Sequence, residues 1–304
     1  MTILELIEAG AQRLADAKVV FGHGTTNAFD EAAWLVLWSL GLPLDTPLDG
    51  PDSDANRPVA TTDSARVATL LEARITTRQP AAYLTHEAWL QGVPFYVDER
   101  TIVPRSLIAE VIADGGIDYW LSESTQRVLD LCTGNGSLAV IAALSYPDTV
   151  ITGADLSTDA LAVARINVDR HQLQDRITLL ESDGLRAPEL QARGPFDLIL
   201  CNPPYVNADS MATLPAEYQA EPVLALSGGT DGMDFVRTLL AQAPALMAPG
   251  SVLALEIGNE RNFFEAAFPN LEAVWLETSA GADQVVVITR EALLGGPKPD
   301  GLGK

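Results

Sequence analysis

FDLILCNPPY, at residues 196–205, combines a β-strand pattern with an unusual turn. The apolar residues that run up to Leu200 are typical of a buried strand. The strand is predicted to end before Pro203 and Pro204, because proline has no backbone N–H group and disfavours helical geometry in the residue that precedes it. The chain is therefore expected to leave the sheet in a stiff, extended turn at the carboxyl end of a strand, where open α/β sheets bind ligands.

The turn from Asn202 to Tyr205 indicates chemistry at a planar amide or amine nitrogen. Most Pro-Pro pairs form only a rigid loop, but an asparagine, two prolines and an aromatic residue in succession are much rarer. The lone pair of such a nitrogen is delocalised, and two acceptors that hydrogen-bond its N–H groups can aim it at an electrophile. The turn resembles the substrate motif of S-adenosylmethionine-dependent methyltransferases that modify glutamine side chains or the exocyclic amino groups of bases. The residues expected to take part in catalysis are Asn202, Pro203, Pro204 and Tyr205.

Length and composition are those of a globular protein. The 304 residues can form one large domain and a smaller one. No apolar run reaches the length of a membrane span, and no basic segment precedes an apolar one at the N-terminus, so we expect a cytoplasmic protein without membrane contact. Two cysteines are too few for a disulfide framework, and three scattered histidines form no metal-ligand pattern, so no metal site is expected.

The net charge of −22 restricts the possible partners. Proteins that bind duplex nucleic acid normally carry a basic face, whereas acidic residues here outnumber basic ones by 41 to 19. Direct nucleic-acid binding is therefore not expected, and a basic protein partner attracted by long-range electrostatics is favoured. An acidic surface that serves only solubility explains the charge equally well.

The first 85 residues are predicted to be helical. Apolar residues recur at helical spacing near 3–14, 30–40 and 67–75. The Pro-, Asp- and Gly-rich segment 42–58 is predicted to be a surface loop. His23 lies in a second stretch rich in turn residues and is interpreted as a turn residue.

Residues 87–104 are interpreted as a β-hairpin that joins two domains. Two β-rich runs flank Gln91-Gly92, a suitable hairpin turn. Arg105 follows, and a helix is predicted from 106 to about 121. The spacing of Arg105 alone favours a surface ion pair over a contact with a carboxylate of the substrate or cofactor.

From Arg127 onward, strands alternate with helices, which predicts an α/β fold with a parallel, doubly wound sheet. A buried strand, a glycine turn and a helix occupy 127–145. The later strands are expected at 150–155, 176–180, 196–201, 251–257, 272–278 and 283–289, with helices after 157, at 232–247 and near 260–267. The predicted domains are 1–86 (helical, substrate-recognising), 87–104 (hairpin joint), 105–292 (catalytic) and 293–304 (a disordered tail).

The glycine turn supplies the cofactor hypothesis. Residues Gly134 to Ala139 match the G-x-G-x-x-G/A dinucleotide fingerprint, and Asp155 lies at the expected distance downstream, where it suits ribose hydroxyls. A nicotinamide enzyme is therefore a rival interpretation. Asp130 counts against it, because a carboxylate just before the turn repels a pyrophosphate but attracts the ammonium of a methionine moiety. Asp183, after the third strand, can accept a hydrogen bond from an adenine amino group.

With these motifs in order, the chain resembles the protein-glutamine methyltransferases, in which a helical N-terminal domain precedes a Rossmann-like, seven-stranded catalytic domain. The resemblance covers nearly everything except the tail. It implies S-adenosylmethionine as cofactor and Asn-Pro-Pro-Tyr as the motif that orients the glutamine amide. The implied cofactor-binding residues are Asp130, Cys132, Thr133, Gly134, Gly136, Asp155, Leu156, Asp183, Gly184 and Asn202. The implied substrate-binding residues are Asn202, Pro203, Tyr205 and Arg105.

Within this family the chain is more similar to the branch that methylates the third large-subunit ribosomal protein than to the branch that methylates peptide-chain release factors. The segments FGHGTTNAFDEA, AAYLTHEAWLQGVPFYVDERTIVPRSLIAEVI and DLCTGNG carry this resemblance. His86 and Leu107 depart from the glycine and proline expected there. The branch implies a basic ribosomal protein as partner, before or during assembly of the large subunit. A nucleic-acid amino-methyltransferase and a non-catalytic adenosyl-binding protein remain alternatives outside the family.

Overall fold

The computed structural model of the chain describes residues 1–50 and 53–295. Its first part is helical, as predicted, and the helices pack around one apolar core. Within the predicted loop 42–58, the described residues form no helix or strand, and residues 51–52 lie outside the description. The short fourth helix was not predicted, because five residues give too little periodicity to detect. The helices are α1 (Ile3–Asp16), α2 (Ala28–Ser39), α3 (Thr61–Thr77) and α4 (Ala81–Thr85).

A β-hairpin follows the helices. Strands β1 (Ala88–Leu90) and β2 (Val93–Phe95) pair antiparallel, which confirms the predicted turn at Gln91-Gly92. Both turn residues have positive φ, 49° and 73°, as a type I′ turn requires. His86, where the resemblance led us to expect glycine, also has a positive φ of 53° at the end of α4. Glycine would suit this position, because the conformation is unfavourable for residues with a side chain.

The rest of the described chain forms a seven-stranded sheet with helices on both faces. The strands are β3 (Arg127–Leu131), β4 (Val150–Asp155), β5 (Ile177–Glu181), β6 (Phe196–Cys201), β7 (Met247–Glu256), β8 (Val274–Thr278) and β9 (Gly281–Thr289). The helices are α5 (Leu107–Ala113), α6 (Ser137–Ser145), α7 (Thr158–Arg170), α8 (Pro188–Gln191), α9 (Ala208–Thr213), α10 (Ala216–Gln219), α11 (Val223–Leu226), α12 (Asp234–Gln242), α13 (Arg261–Ala267) and α14 (Arg290–Gly295).

The strand order is β5-β4-β3-β6-β7-β9-β8. The first five of these are parallel, which confirms the α/β prediction. The prediction was wrong for the end of the sheet, where β9 runs antiparallel to both β7 and β8. Only a tight turn joins β8 to β9, whereas a parallel pair needs a crossover of about a dozen residues. The order reverses between β3 and β6, so a ligand crevice is expected at their carboxyl ends.

The sheet is buried on both faces because neighbouring residues of its central strands point to opposite sides. On β3, Val128 packs with the residues of α5 and α6, whereas Leu129 packs with those of α12. Both are fully buried. This is why the central strands are continuous apolar runs in the sequence rather than alternating ones.

Three predicted boundaries were wrong. The helix predicted to reach residue 121 ends at Ala113, because Gly115 and Gly116 follow it and only a single 3-10 turn lies beyond. The helix predicted over 232–247 ends at Gln242, and Met247 already belongs to β7. The predicted disordered tail begins inside α14, which runs to Gly295, and its remainder, 296–304, lies outside the described residues.

Candidate active site

The residues predicted to bind a cofactor lie at four adjacent strand ends. Leu131 at the end of β3 is level with Ala154 on one side and Cys201 on the other. Asp155 at the end of β4 is level with Glu181 at the end of β5. Because all four strands are parallel, the segments that follow them meet at one edge of the sheet. The structure thus brings together the glycine loop, the acid after β4, the loop after β5 and the Asn-Pro-Pro-Tyr turn after β6.

The glycine loop turns sharply between β3 and α6. Gly136 has a φ of +79°, and a Cβ atom there would lie 3.1 Å from the Cβ of Ala164 on α7. Glycine is therefore needed both for the left-handed backbone and for close packing against the next helix. Cys132 also has a positive φ, 60°, which is uncommon for a residue with a side chain and costs on the order of 1 kcal/mol or more.

Asp130 lies beneath this loop and is fully buried. Its Oδ2 accepts hydrogen bonds from Thr133 Oγ1 and from the backbone N–H of Ala139 at 2.9 Å. Its Oδ1 has no hydrogen-bond partner among the described residues. Burial raises the pKa of Asp130 to about 7, and the nearby charge of Asp155 adds to the increase. A buried carboxylate oxygen without a partner is costly unless a ligand satisfies it.

Asp155 links β4 to the glycine loop. One carboxylate oxygen accepts from the backbone N–H of Gly134 at 2.8 Å and the other from Ser157 N at 2.9 Å. Burial raises the pKa of Asp155, although these backbone hydrogen bonds oppose the rise. Each oxygen keeps a second lone pair, so the carboxylate can hold the loop and also accept from a ligand hydroxyl.

A cavity of about 550 Å³ lies beside the ends of β4 and β5. Leu156, which is about half exposed, forms its apolar wall, and Asp183 lies on its rim. The Asp183 carboxylate pairs with Arg186 on the surface. The cavity is lined by Leu156, Leu180, Glu181, Ser182, Asp183, Arg186, Ala187 and Glu189.

The Asn-Pro-Pro-Tyr turn leaves β6 on the other side of the glycine loop. Asn202 is half-buried, and no described residue makes a hydrogen bond with its side-chain amide. Pro203 is buried, whereas Tyr205 is half-buried, with its hydroxyl 3.5 Å from Glu256 Oε1. Burial raises the pKa of Tyr205, and the neighbouring Glu256 carboxylate raises it further, so the phenol stays protonated at neutral pH.

Sequence comparison relates this chain to known methyltransferases. A family model described as "Methyltransferase small domain" matches residues 118–220. A protein of Bordetella pertussis named "Ribosomal protein uL3 glutamine methyltransferase" is 51% identical over 294 residues, which cover 96% of each chain. This chain belongs to the uL3 glutamine methyltransferase family. A member with the same name from Burkholderia pseudomallei is 50% identical over 94% of each chain.

The family recognised from the sequence motifs is thereby confirmed, as is the ribosomal-protein branch. Among solved structures, the hMettl16 catalytic domain matches with a TM-score of 0.50 over 75% of this chain and 81% of that one. Only 12% of the aligned residues are identical, so this likeness concerns the fold alone. Among the described helices, none is both long enough and apolar enough to cross a membrane.

In this member of the uL3 glutamine methyltransferase family, Arg105 forms a part-buried ion pair. Its guanidinium donates to both oxygens of Glu221, at 2.5 and 2.7 Å, and lies 5.5 Å above the ring of Tyr218. Although burial alone would raise the pKa of Glu221, the contact with His23 and the Arg105 charge lower it to about 2. The arginine therefore has a protein partner, as its spacing favoured, but that partner is buried rather than on the surface.

His23 also differs from its interpretation as an ordinary turn residue. Its side chain is only 1% exposed, with Nε2 3.6 Å from Glu221 and its ring centroid 4.3 Å from that of Tyr218, the two ring planes tilted by 49°. Glu217, one helical turn before Glu221, accepts hydrogen bonds from Val20 N and from Arg78, both at 3.2 Å. Buried glutamates in the segment after the Asn-Pro-Pro-Tyr turn thus attach that segment to the N-terminal helical region.

The sequence analysis missed Glu217, Glu221 and Glu256. Each acts on residues more than fifty positions away in the chain, such as Arg105, which is 116 residues from Glu221. Glutamates are common in an acidic protein, and nothing local marks these three as buried.

Proposed function

We propose that this protein transfers a methyl group to the side-chain amide nitrogen of a glutamine in ribosomal protein uL3. S-adenosylmethionine, when bound, supplies the methyl group as an electrophile on a sulfonium. The amide nitrogen gains a bond to the methyl carbon, the carbon–sulfur bond breaks, and one amide proton leaves to water. The observation that carries this proposal is the position of the Asn202 amide, which makes no hydrogen bond with any described residue and stands at a strand end beside the glycine loop.

The residues at the other strand ends fit the proposed cofactor. The buried Oδ1 of Asp130 has no protein partner and suits an ammonium group. Asp155 keeps lone pairs for ribose hydroxyls, and the cavity bounded by Leu156 and Asp183 suits an adenine ring. Cys132, Thr133, Gly134, Gly136 and Gly184 complete the proposed cofactor site, with Asn202 at its border with the substrate.

The Asn-Pro-Pro-Tyr turn is the proposed substrate site. The Asn202 side-chain oxygen and the Pro203 carbonyl accept the two hydrogens of the glutamine amide. Pro204 keeps the turn extended, because its fixed ring excludes helical geometry in the residue before it. Holding the amide in line with the methyl group lowers the barrier by positioning and by stabilising the developing charge, without a metal or a strong base. Arg105 supports the site through Glu221 and Tyr218.

Replacing Asp155 by alanine is expected to weaken S-adenosylmethionine binding by about 1.5–3 kcal/mol, the range for hydrogen bonds to a charged group. The change removes the acceptor for the ribose and the anchor of Gly134. Calorimetry with Asp155→Ala, beside the exposed control Asp175→Ala, checks this.

NAD is expected not to bind the wild-type protein, since Asp130 repels a pyrophosphate. Binding of NAD without S-adenosylmethionine would contradict the cofactor assignment.

Cofactor affinity is expected to rise with pH below neutrality. The raised pKa of Asp130, about 7, means that its carboxyl holds a proton at mildly acidic pH, and a bound ammonium favours the ionised form. Binding therefore releases a proton, and the dissociation constant should fall about three- to tenfold between about pH 5.5 and 7.5. Asp130→Asn should flatten this dependence in calorimetric titrations. An equally steep dependence in the variant would assign the proton to another group.

The partner assignment can be checked through electrostatics. If the net charge of −22 steers a basic ribosomal protein to this surface, the association rate should fall about tenfold between about 20 and 150 mM salt. Stopped-flow measurements with purified uL3 test this. A rate that is the same at both salt concentrations would remove electrostatic steering from the proposal.

The function itself is tested by incubating the wild-type protein with tritiated methyl donor and, separately, with uL3, a peptide-chain release factor and DNA. Label in uL3 alone, at a glutamine side chain, is the expected result, before or during assembly of the large subunit. Asn202→Ala serves as the inactive control. Label in the release factor alone would assign the other branch, and label in DNA would assign an amino-methyltransferase of nucleic acid.

A further inference from the structure

Tyr205, the last residue of the Asn-Pro-Pro-Tyr turn, is surrounded by three glycines from two distant loops. A Cβ atom on Gly232 would lie 2.2 Å from the Tyr205 carbonyl oxygen, and one on Gly228 would lie 2.7 Å from the Tyr205 Cα. A Cβ atom on Gly258 would lie 2.5 Å from Cε2 of the ring. Real Cβ atoms do not approach this closely, so only glycine permits the observed position of Tyr205 at these three sites. We call Gly228, Gly232 and Gly258 the glycine cradle.

Gly258 is the member of the glycine cradle that faces the aromatic ring. It lies two residues after the end of β7 and has a φ of +53°, with the Tyr205 Cζ and hydroxyl oxygen at 2.9 and 3.1 Å from its ideal Cβ. The hydroxyl end of the ring therefore lies directly against the Gly258 backbone. Any residue other than glycine at this position must displace the ring, because its Cβ atom is fixed to the backbone and cannot rotate away from the ring.

Glu256, two residues earlier, faces the hydroxyl group of the same ring. Its side chain is nearly fully buried, and its Oε2 accepts hydrogen bonds from Ser106 Oγ at 2.6 Å and Leu107 N at 2.9 Å. These bonds fix the carboxylate and leave Oε1 directed at the Tyr205 hydroxyl, 3.5 Å away. Glu256 and Gly258, at and just after the end of β7, thus both restrict the position of the hydroxyl end of the ring.

We propose that Gly258 and Glu256 are positioning residues for methyl transfer, which act through Tyr205 on the acceptor groups of Asn202 and Pro203. This inference rests on the proposed function. Pro203 and Pro204 make the turn stiff, so a displacement of Tyr205 is passed on to the Pro203 carbonyl instead of being absorbed. A misplacement of about 1 Å at a reacting group can cost about a hundredfold in rate.

Gly258→Ala tests the proposal, with Gly250→Ala as its matched control. Gly250 lies in β7 and has a φ of +76°, but a Cβ atom there meets nothing within 4 Å. Both variants therefore carry the strain of a left-handed alanine, and only Gly258→Ala disturbs the ring. We expect Gly258→Ala to lower kcat about ten- to a hundredfold, with the dissociation constant of S-adenosylmethionine within about twofold, and Gly250→Ala to leave both within about twofold. A kcat of Gly258→Ala within about threefold of the control would overturn the role of Gly258.

A double-mutant cycle of Glu256→Gln and Tyr205→Phe tests the second residue and remains decisive if Gly258→Ala does not fold. Glutamine keeps the size of the side chain, and phenylalanine removes only the hydroxyl that faces Oε1. If Glu256 acts through that hydroxyl, Glu256→Gln should lower kcat at least about fivefold in the wild-type background and much less in Tyr205→Phe. Equal losses in both backgrounds would show a purely structural role. Wild-type protein that methylates no uL3 would instead refute the proposed function, before any variant is compared.

Discussion

Replacing Asn202 by alanine is expected to slow methyl transfer about a hundred- to a thousandfold, the usual cost of removing one preorganised hydrogen bond to a transition state. The substitution removes one of the two proposed acceptors for the glutamine amide, whose nitrogen we expect to be reactive only while it is held in line with the methyl group. Gly134 and Asp155 bind each other and not Asn202, so the cofactor loop is left untouched. S-adenosylmethionine should accordingly bind with an affinity within about twofold of the wild-type value.

Single-turnover kinetics with uL3 measure this loss, and calorimetry measures cofactor binding. Asn262→Ala, on the exposed face of α13, is the matched control and should leave both unchanged. Asn202→Asp is a sharper probe, because it keeps an acceptor oxygen but adds a negative charge beside the site. That charge should strengthen binding of the sulfonium donor while the amide is held less well, so affinity rises and turnover falls. Near-normal turnover of Asn202→Ala would show that the turn is only a stiff exit from β6 and that Asn202 takes no part in methyl transfer.

The elements that carry chemistry are predictable here because their signals are local. Glycines between an apolar strand and a helix, an acid at the next strand end and two prolines after a third strand each restrict the backbone within a few residues. Once the strands are known to be parallel, their order in the chain places Asp130, Asp155 and Asn202 at one edge of the sheet. The motifs that predict the fold are therefore the same motifs that form the candidate site.

The parts that sequence did not predict depend on contacts between distant residues. The short helices α9, α10 and α11 follow the prolines of the turn and Pro215 and Pro222, and each is too brief to show a period. Glu221 and Glu256 become informative only when folding buries them beside Arg105 and Tyr205. A buried charge has no local signature, because its partner lies elsewhere in the chain. The antiparallel end of the sheet likewise follows from a tight turn between β8 and β9, where the alternation of strands and helices has stopped.

Replacing Arg74 by methionine is expected to destabilise the protein by about 3–5 kcal/mol, the range for breaking a buried ion pair from one side. Arg74 is fully buried on α3, where Nε donates to Glu31 at 2.8 Å and Nη2 donates to the Val20 carbonyl at 3.0 Å. Its Nη1 lies 3.6 Å from Glu217, which follows the Asn-Pro-Pro-Tyr turn in the chain. The variant leaves Glu31 buried without its cation, and it also weakens the attachment of the helical region to this segment.

Urea unfolding of Arg74→Met, compared with Arg66→Met on the same helix, measures the loss. Arg66 is exposed and paired with Asp63 on the surface, so its replacement should cost no more than about 1 kcal/mol.

The loss should depend on pH in a defined direction. Burial already raises the pKa of Glu31, and only the Arg74 charge opposes that rise strongly, so in Arg74→Met the carboxyl should take up a proton on folding. An acid whose pKa is higher in the folded state than in the unfolded state stabilises the fold less as pH rises, so the deficit should be smaller at about pH 5 than at about pH 8. The double variant Arg74→Met, Glu31→Met should recover most of the loss at both values, because two apolar side chains can replace a buried pair. A deficit that is independent of pH and persists in the double variant would show that Arg74 stabilises the core by its packing and not by its charge.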